Sequence, residues 1–336
     1  MSSVGLREVA RRAGVSPGTV SNYLNHPAKV APDTASRIRG VIDELGYVSN
    51  AAARTLRVGE SNTIGHIAFE VGNPFFFDFA RGVEDRAAEA GWSILIANSA
   101  ASASREAAYL DLFESQRARG ILISPVGDVE DRLVTLNERG IPTVVIDRQT
   151  DVQICSSVSI DDSVGGRLAV EHLLQQGRSR LMIVGGPLSL HTVSDRFRGA
   201  SAAAEHAAAS LELREVEART ISVGRGIGEE IRSMRPEGRP DGVFAVNDLL
   251  AVGILHALLE DPAIRVPEDI SIVGYDDIEF ASDAVVPLTT IRRHGELFGR
   301  TALDLLNREI RDGGARRHEQ IVFQPELIVR GSSRAV

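Results

Sequence analysis

The sequence predicts two architectures in one chain: a small all-α head, then an α/β body of two doubly wound, mainly parallel sheets. Three observations carry this. Residues 1–46 hold helix signals only, whereas from Thr63 onward short apolar runs alternate with amphipathic stretches. Charge divides at the same place: the first 60 residues hold eight Lys/Arg against five Asp/Glu, net +3, and the rest hold 29 against 41, net −12. With 336 residues, 43% of them apolar and 25% charged, the chain is long enough for two or three domains with a sizeable core.

In the head, Leu6, Val9, Ala10 and Ala13 mark one helical face, and Gly14 fits the left-handed stop after it. Ser16 is a good N-cap and Pro17 the preferred first helical residue, its missing N–H being an orphan there anyway. Val20 and Leu24 continue that helix at a spacing of four, while Gly18 lowers helix propensity and permits close approach of the backbone. A third helix opens at Pro32-Asp33, turns Ala35, Ile38, Val41, Ile42 and Leu45 inward, and stops at Gly46. Three short helices with a tight first turn form a helix-turn-helix unit. That geometry puts the start of the second helix in a major groove. Base reading then falls on Ser16, Thr19, Ser21 and Asn22, with an apolar contact open to Pro17 and backbone approach at Gly18. Lys29 and the arginines would contact phosphates. A basic head on an acidic body also means that only the head approaches a polyanion.

In the body, the candidate strands are TIGHIAFEV, WSILIANS, GILISPV, PTVVIDR, SVSID, RLMIVGG, ARTISV, GVFAVN, ISIVGYD and LTTIRR. Helical stretches 78–90, 104–118, 163–176, 195–209, 248–260 and 295–311 lie between them. This many strands fit two lobes better than one sheet, with a break near residue 162. Ligands of such sheets sit at the carboxyl ends of the strands. The residues there are Asn73, Phe75 and Phe76, then Asp147-Arg148, Asp161-Asp162, Asn247-Asp248 and Asp276-Asp277. Arg196 opens a helix close by, after His191 and Thr192 in the preceding loop. Carboxylates for vicinal hydroxyls, an arginine fork and aromatic faces are what a sugar requires. Asp162 and Asp248 read more simply as helix N-caps.

Other classes find little support. A single cysteine, Cys155, excludes an internal disulfide framework and multi-cysteine metal sites. The start of the chain lacks a signal-peptide core and no run of about 18 apolar residues occurs, so a cytoplasmic protein with no membrane association is expected. GRGIGEE at 224–230 reads as a loop into a helix rather than a dinucleotide loop. No Walker or H-E-x-x-H motif is present, so neither catalysis nor a cofactor is expected.

LREVARRAGVSPGTVSNYLN followed by VAPDTASRIRGVIDELGYVSNAAARTLR closely resembles the DNA-binding head of the lac repressor family of bacterial transcription regulators. The body fragments GRLAVEHLLQQGRSRLMIVGG, DGVFAVNDLLAVGILHAL and VPEDISIVGYDDIEFA resemble the family's effector-binding core, itself similar to periplasmic sugar-binding proteins. The resemblance implies a helix-turn-helix head over 1–48, a hinge helix over 49–60 and a two-lobed core over 61–336. Lobe 1 would hold about 61–162 and 292–323, and lobe 2 about 163–291 and 324–336. It also implies that Ala53 and Leu56 wedge into the minor groove from a hinge helix that orders on DNA, although Ser49 stands where the family commonly has proline. Leu6, Asn25 and Arg57 complete the expected DNA-facing set. Arg196, Asn247 and Asp276 are implied effector contacts, with Phe75, Phe76, Asp147, Arg148 and Thr192 as pocket wall.

The expected function is therefore that of a repressor binding a pseudopalindromic double-stranded operator as a homodimer, or a tetramer, under control of a small polar effector, a sugar first. Two alternatives stand beside it: a nucleobase-responsive regulator of the same family, and a sugar-binding receptor without DNA binding.

Overall fold

The computed structural model describes residues 5–47, 61–312 and 318–333. It divides into two compact units, Met1–Ser61 and Asn62–Val336. In the first, α1 (Leu6–Arg12), α2 (Pro17–Asn25) and α3 (Pro32–Leu45) close on Val9, Ala10, Ala13, Val20, Ile38 and Val41. The Ser16 hydroxyl accepts from the Thr19 N–H at 3.1 Å, so the N-cap expected there starts α2. Gly46 ends α3 at φ 58°, a left-handed stop that residues with a Cβ disfavour. The hinge segment 49–60, with Ala53, Leu56 and Arg57, lies outside the described residues.

The second unit holds two six-stranded sheets. The first is built from β1 (Thr63–Ala68), β2 (Ser93–Asn98), β3 (Gly120–Ile123), β4 (Thr143–Ile146), β5 (Ser156–Ile160) and β11 (Gln320–Phe323). Its spatial order is β2-β1-β3-β4-β5-β11, parallel throughout. The second uses β6 (Arg180–Gly185), β7 (Ser210–Glu215), β8 (Gly242–Ala245), β9 (Ser271–Asp276), β10 (Thr289–Arg292) and β12 (Glu326–Ile328). Its order, β7-β6-β8-β9-β10-β12, repeats the first, and only β12 runs antiparallel, against β10. Central strands such as GILI, TVVI and GVFA are buried at every residue, as parallel strands covered on both faces must be.

In the first lobe the connecting helices are α4 (Phe75–Glu89), α5 (Ala103–Ser115) and α6 (Glu130–Glu138). In the second they are α7 (Asp162–Gln175), α8 (His191–His206), α9 (Ile221–Ser233) and α10 (Asp248–Leu259), with a short α11 (Glu279–Ser282) after β9. Then α12 (Gly295–Asp312) returns to the first sheet. The chain thus passes between the sheets three times, after β5, β10 and β11. No helix among the described residues is long and apolar enough to cross a membrane.

Two expectations fail here for related reasons. The strand sought at ARTISV, 218–223, lies earlier, at β7, and α9 begins at Ile221 with Thr220 as its cap. The glycines of GRGIGEE are not a loop but lie inside α9, where they let it touch α10. A Cβ on Gly224 would lie 2.2 Å from the Leu250 carbonyl oxygen, and one on Gly253 of α10 2.1 Å from that of Ile221. Close backbone packing explains glycine in a helix despite its propensity cost. The short edge strands β11 and β12 were not foreseen.

Candidate functional site

On the head, Pro17, Gly18 and Asn22 stand exposed along α2. Ser16 and Thr19 are bound to one another, their hydroxyl oxygens 2.9 Å apart, so the cap fixes the orientation of both. Ser21 is half-buried, and Leu6 is half-buried against the head core rather than free on the surface. Asn25 closes α2, but its side chain lies outside the described residues. Arg11 pairs with Glu8 and Arg12 with Glu44. Arg7, Lys29 and Arg37 are exposed and make no ion pair among the described residues. They supply the cationic surface that a phosphate backbone requires.

In the body, every residue expected at the effector site except Phe75 lines one cavity of ≈ 700 Å³, counted out to its mouth, between the two lobes. Asn73 and Phe76 follow β1, Asp147 and Arg148 follow β4, Asn247 follows β8, and Asp276 ends β9. Thr192 and Arg196 come from the first two turns of α8, which begins at His191, four residues before the expected start. In both sheets the order 2-1-3-4-5 puts a switch point between the first and third strands, and the cavity lies over these carboxyl ends.

Phe75 is a correction. It is only 2% exposed, with the Arg293 guanidinium over its ring at 3.7 Å and the Phe298 ring at 6.2 Å. Adjacent helical residues point about 100° apart, so Phe75 enters the core when Phe76 faces the cleft.

Arg293, buried where the chain leaves β10, organises the cavity floor. It donates to Asp147 through Nη2 and to Asp276 through Nη1 at 3.2 Å, so one guanidinium joins a lobe 1 carboxylate to a lobe 2 carboxylate. Asn73 Nδ2 donates to the other Asp276 oxygen at 2.7 Å, a second link between the lobes. Both aspartates have left-handed backbones, φ 63° at Asp147 and 110° at Asp276, a strain that clusters at ligand sites. Burial raises the Asp147 carboxyl above its usual range, and the Arg293 charge opposes that rise.

Arg196 is held from below. Its Nε donates to Asp162 at 2.7 Å, its Nη1 donates to the Val246 carbonyl, and its guanidinium lies 3.6 Å above the Tyr275 ring centre. Burial works against its positive charge, but the Asp162 carboxylate more than offsets this, so the guanidinium holds its proton more firmly than a free arginine does. Asp162 is therefore no N-cap. That role belongs to Asp161, which accepts from the Val164 N–H at 3.0 Å. Likewise Asn247 caps α10, accepting from Leu250 at 3.0 Å, while the buried Asp248 accepts from the Thr290 hydroxyl at 2.6 Å and the Ile278 N–H at 3.0 Å. Asn247 Nδ2 donates to the Arg219 carbonyl at 3.0 Å, so this side chain positions the loop before α9 as well as lining the cavity.

Four polar lining residues escaped the sequence reading. Arg293 follows a strand that had been extended over it, and Arg219 fell inside the misplaced strand. Glu70 reaches across to Arg219 at 2.8 Å, closing one rim of the cleft. Ser124, at the end of β3, carries a buried hydroxyl with no partner among the described residues. Burial pushes the Cys155 thiol up to about 12, and among the described residues no three His, Cys, Asp or Glu side chains are placed to hold a metal.

Comparison with known proteins agrees with both units. Residues 5–50 match the bacterial regulatory proteins of the lacI family, and residues 170–333 match the periplasmic binding protein-like domain. The chain is 31% identical over 336 positions to the HTH-type transcriptional repressor PurR of Aliivibrio fischeri, covering 97% of each chain. The lac repressor dimer bound to operator and the anti-inducer ONPF superposes with a TM-score of 0.81 at 25% identity, over 99% of this chain and 100% of that one. The transcriptional regulator CelR in its cellobiose complex superposes with a TM-score of 0.70 at 28% identity, over 98% and 99%.

Proposed function

This chain belongs to the lacI family of bacterial regulatory proteins, a DNA-binding repressor rather than an enzyme, and we propose that its effector is a sugar held in the interlobe cleft. The observation that carries the effector class is the pair of carboxylates Asp147 and Asp276, presented from opposite lobes and fixed by Arg293. Carboxylates held by a guanidinium still have lone pairs for ligand hydroxyls, and Arg196 lies alongside in the same cavity. The CelR structure, a neighbour of the same fold, holds cellobiose.

The same pair explains how an effector acts. A ligand shifts an equilibrium only by its differential affinity for the two states. One that contacts both Asp147 and Asp276 binds the closed lobes better than the open ones, and so biases the core. The operator is read by a homodimer, one head per half-site, in the bacterial cytoplasm. Leu6, Ser16, Pro17, Gly18, Thr19, Ser21, Asn22, Asn25, Lys29, Ala53, Leu56 and Arg57 are the proposed DNA-contacting set.

A thermal-shift screen of the full chain against sugars, sugar phosphates, polyols and nucleobases tests the effector class. A ligand at 100 times its Kd stabilises by about 2.7 kcal/mol. A sugar hit lost in Asp276→Ala supports the assignment. Hits confined to nucleobases overturn it in favour of a nucleobase-responsive repressor, a reading that the PurR relatives keep open.

A further inference from the structure

The crossovers that join the lobes leave from β5, β10 and β11, toward one edge of the two sheets. In the first sheet β1 stands three strands from β5, and in the second β6 stands three from β10 with β7 beyond it. At about 4.8 Å per strand, the free edge lies roughly 15–20 Å from the crossovers. Rotation of one lobe on the other therefore moves groups at this edge far and groups beside the crossovers little.

The links between the lobes divide accordingly. Arg293 follows β10 and joins Asp147 to Asp276, which follow or end β4 and β9, the strands next to β5 and β10. These contacts sit at the pivot and change little as the lobes turn. Glu70 and Arg219 sit at the free edge, Glu70 after β1 and Arg219 between β7 and α9, with Arg219 Nη2 donating to Glu70 at 2.8 Å.

Both ends of this pair are anchored in their own lobe. Arg219 Nη1 donates to the Gly186 carbonyl at 2.7 Å, just past β6, and the Arg219 carbonyl accepts from Asn247, the cap of α10. In the first lobe the Phe69 carbonyl, next to Glu70, accepts from the Ser99 hydroxyl at 3.4 Å and the Ala101 N–H at 3.3 Å. The Arg219 guanidinium also lies 5.4 Å from the Phe69 ring centre. Attraction between Glu70 and Arg219 thus acts between the lobes themselves, not between two loose loops. The pair is partly shielded from water, with the Arg219 side chain 12% exposed and that of Glu70 32%. At another contact between the lobes, Arg148 Nη1 to His191 Nε2 at 3.5 Å, two basic side chains meet and no such attraction arises.

We propose that Glu70 and Arg219 form a latch that holds the lobes closed from the edge of the cleft opposite the crossovers. The latch belongs to the protein and acts whatever effector the cleft takes. Exchange of an effector through this edge requires the pair to part.

Pulsed electron paramagnetic resonance on the full chain, with no ligand added, tests it. Nitroxides on Ala103→Cys, at the start of α5 after β2, and Ser222→Cys, in the first turn of α9, report the separation of the lobes from two exposed positions. Cys155 is fully buried and is left in place. Labelled chain is diluted into unlabelled chain, so that only distances within one chain are read. Wild type should populate mainly the short distance. Glu70→Ala should raise the ratio of open to closed about fivefold, and Glu70→Lys, which sets two cations face to face, should raise it further. Arg219→Gln should open the lobes as far as Glu70→Ala, and the two together no further, because either change removes the whole pair. Adding Arg219→Glu to Glu70→Lys should bring the short distance back. A wild type already centred on the long distance overturns the latch. So does a Glu70→Lys or Arg219→Gln chain, folded by circular dichroism, that keeps the wild-type distribution.

Discussion

The reading surface of the head and the cleft of the body solve opposite problems. The head displays its candidate contacts outward on the first turns of one helix, over a core in which the buried residues are all apolar. The cleft gathers side chains from positions as far apart as Asn73 and Arg293, and buries their charges in mutual pairs. The head can therefore change its contacts with little effect on its core, whereas many cleft residues both line the cavity and hold a neighbour in place. Asn247 shows the second case, since one amide caps α10, fixes the Arg219 loop and lines the cavity.

The strongest way to break this comparison is Arg293→Met. It leaves Asp147 and Asp276 buried without their shared partner, which should cost about 3–5 kcal/mol of body stability. Urea unfolding measures the loss, and effector response should vanish with it. A variant of wild-type stability would mean that the cleft charges are not mutually supporting. Adding Asp147→Asn should restore part of the loss, because it removes one of the two orphaned charges.

Acid sharpens the same contrast. His66, in the middle of β1 beside Phe79, is 1% exposed with both ring nitrogens unpartnered among the described residues, and burial lowers its pKa to about 4. Below pH 6.5 the unfolded chain takes up a proton that the folded chain refuses until about pH 4. Body stability therefore falls as pH drops through this window, by up to about 3 kcal/mol from His66 alone. Burial raises the carboxyls of Asp147 and Asp248, which act in the opposite direction, so the informative quantity is wild type minus His66→Leu. That difference should decline from pH 7 to pH 4. A flat difference would remove His66 as the cause.

Ser16→Ala is the counterpart in the head. Losing the bond to the Thr19 N–H should cost about 1 kcal/mol, seen as a lower melting temperature of the head transition with the body transition unmoved. It also frees the Thr19 hydroxyl, so operator affinity should fall by more than the stability change alone explains.

How much was legible in the sequence follows from the same division. The head's signals are local: the Ser16 cap, Pro17 after it, the apolar spacing and Gly46 lie within a few residues of what they control. The alternation of strands and helices is local as well, and so the fold class could be read. In the cleft, the strand-end rule found Asn73, Asp147, Asn247 and Asp276 because each follows or ends a buried apolar strand. It missed Arg219 and Arg293 because a strand boundary off by a few residues moves the end that the rule inspects. Nor did it separate Phe75 from Phe76, since the facing of a helix's first turn depends on what packs beneath it. The glycines of α9 were misread because the neighbour that requires them, α10, lies about 30 residues further along the chain.

The smallest expected effect is also the most discriminating, because it asks whether a glycine serves the fold or the ligand. Gly224 serves the fold, since a Cβ there would strike the Leu250 carbonyl. At Gly18 an added Cβ would meet only the Ser16 hydroxyl oxygen, at an ordinary 3.6 Å, and the position is exposed. Nothing in the head requires glycine there, and alanine is the better helix former by up to about 1 kcal/mol, less in a first turn. Gly18→Ala should therefore raise the melting temperature of the head. If the bare backbone serves close approach to a groove, the same substitution weakens operator binding, and stability and affinity move in opposite directions. If affinity rises with stability, Gly18 has no role in the groove, and the contacts assigned to the start of α2 shift to Asn22 and the turn after it.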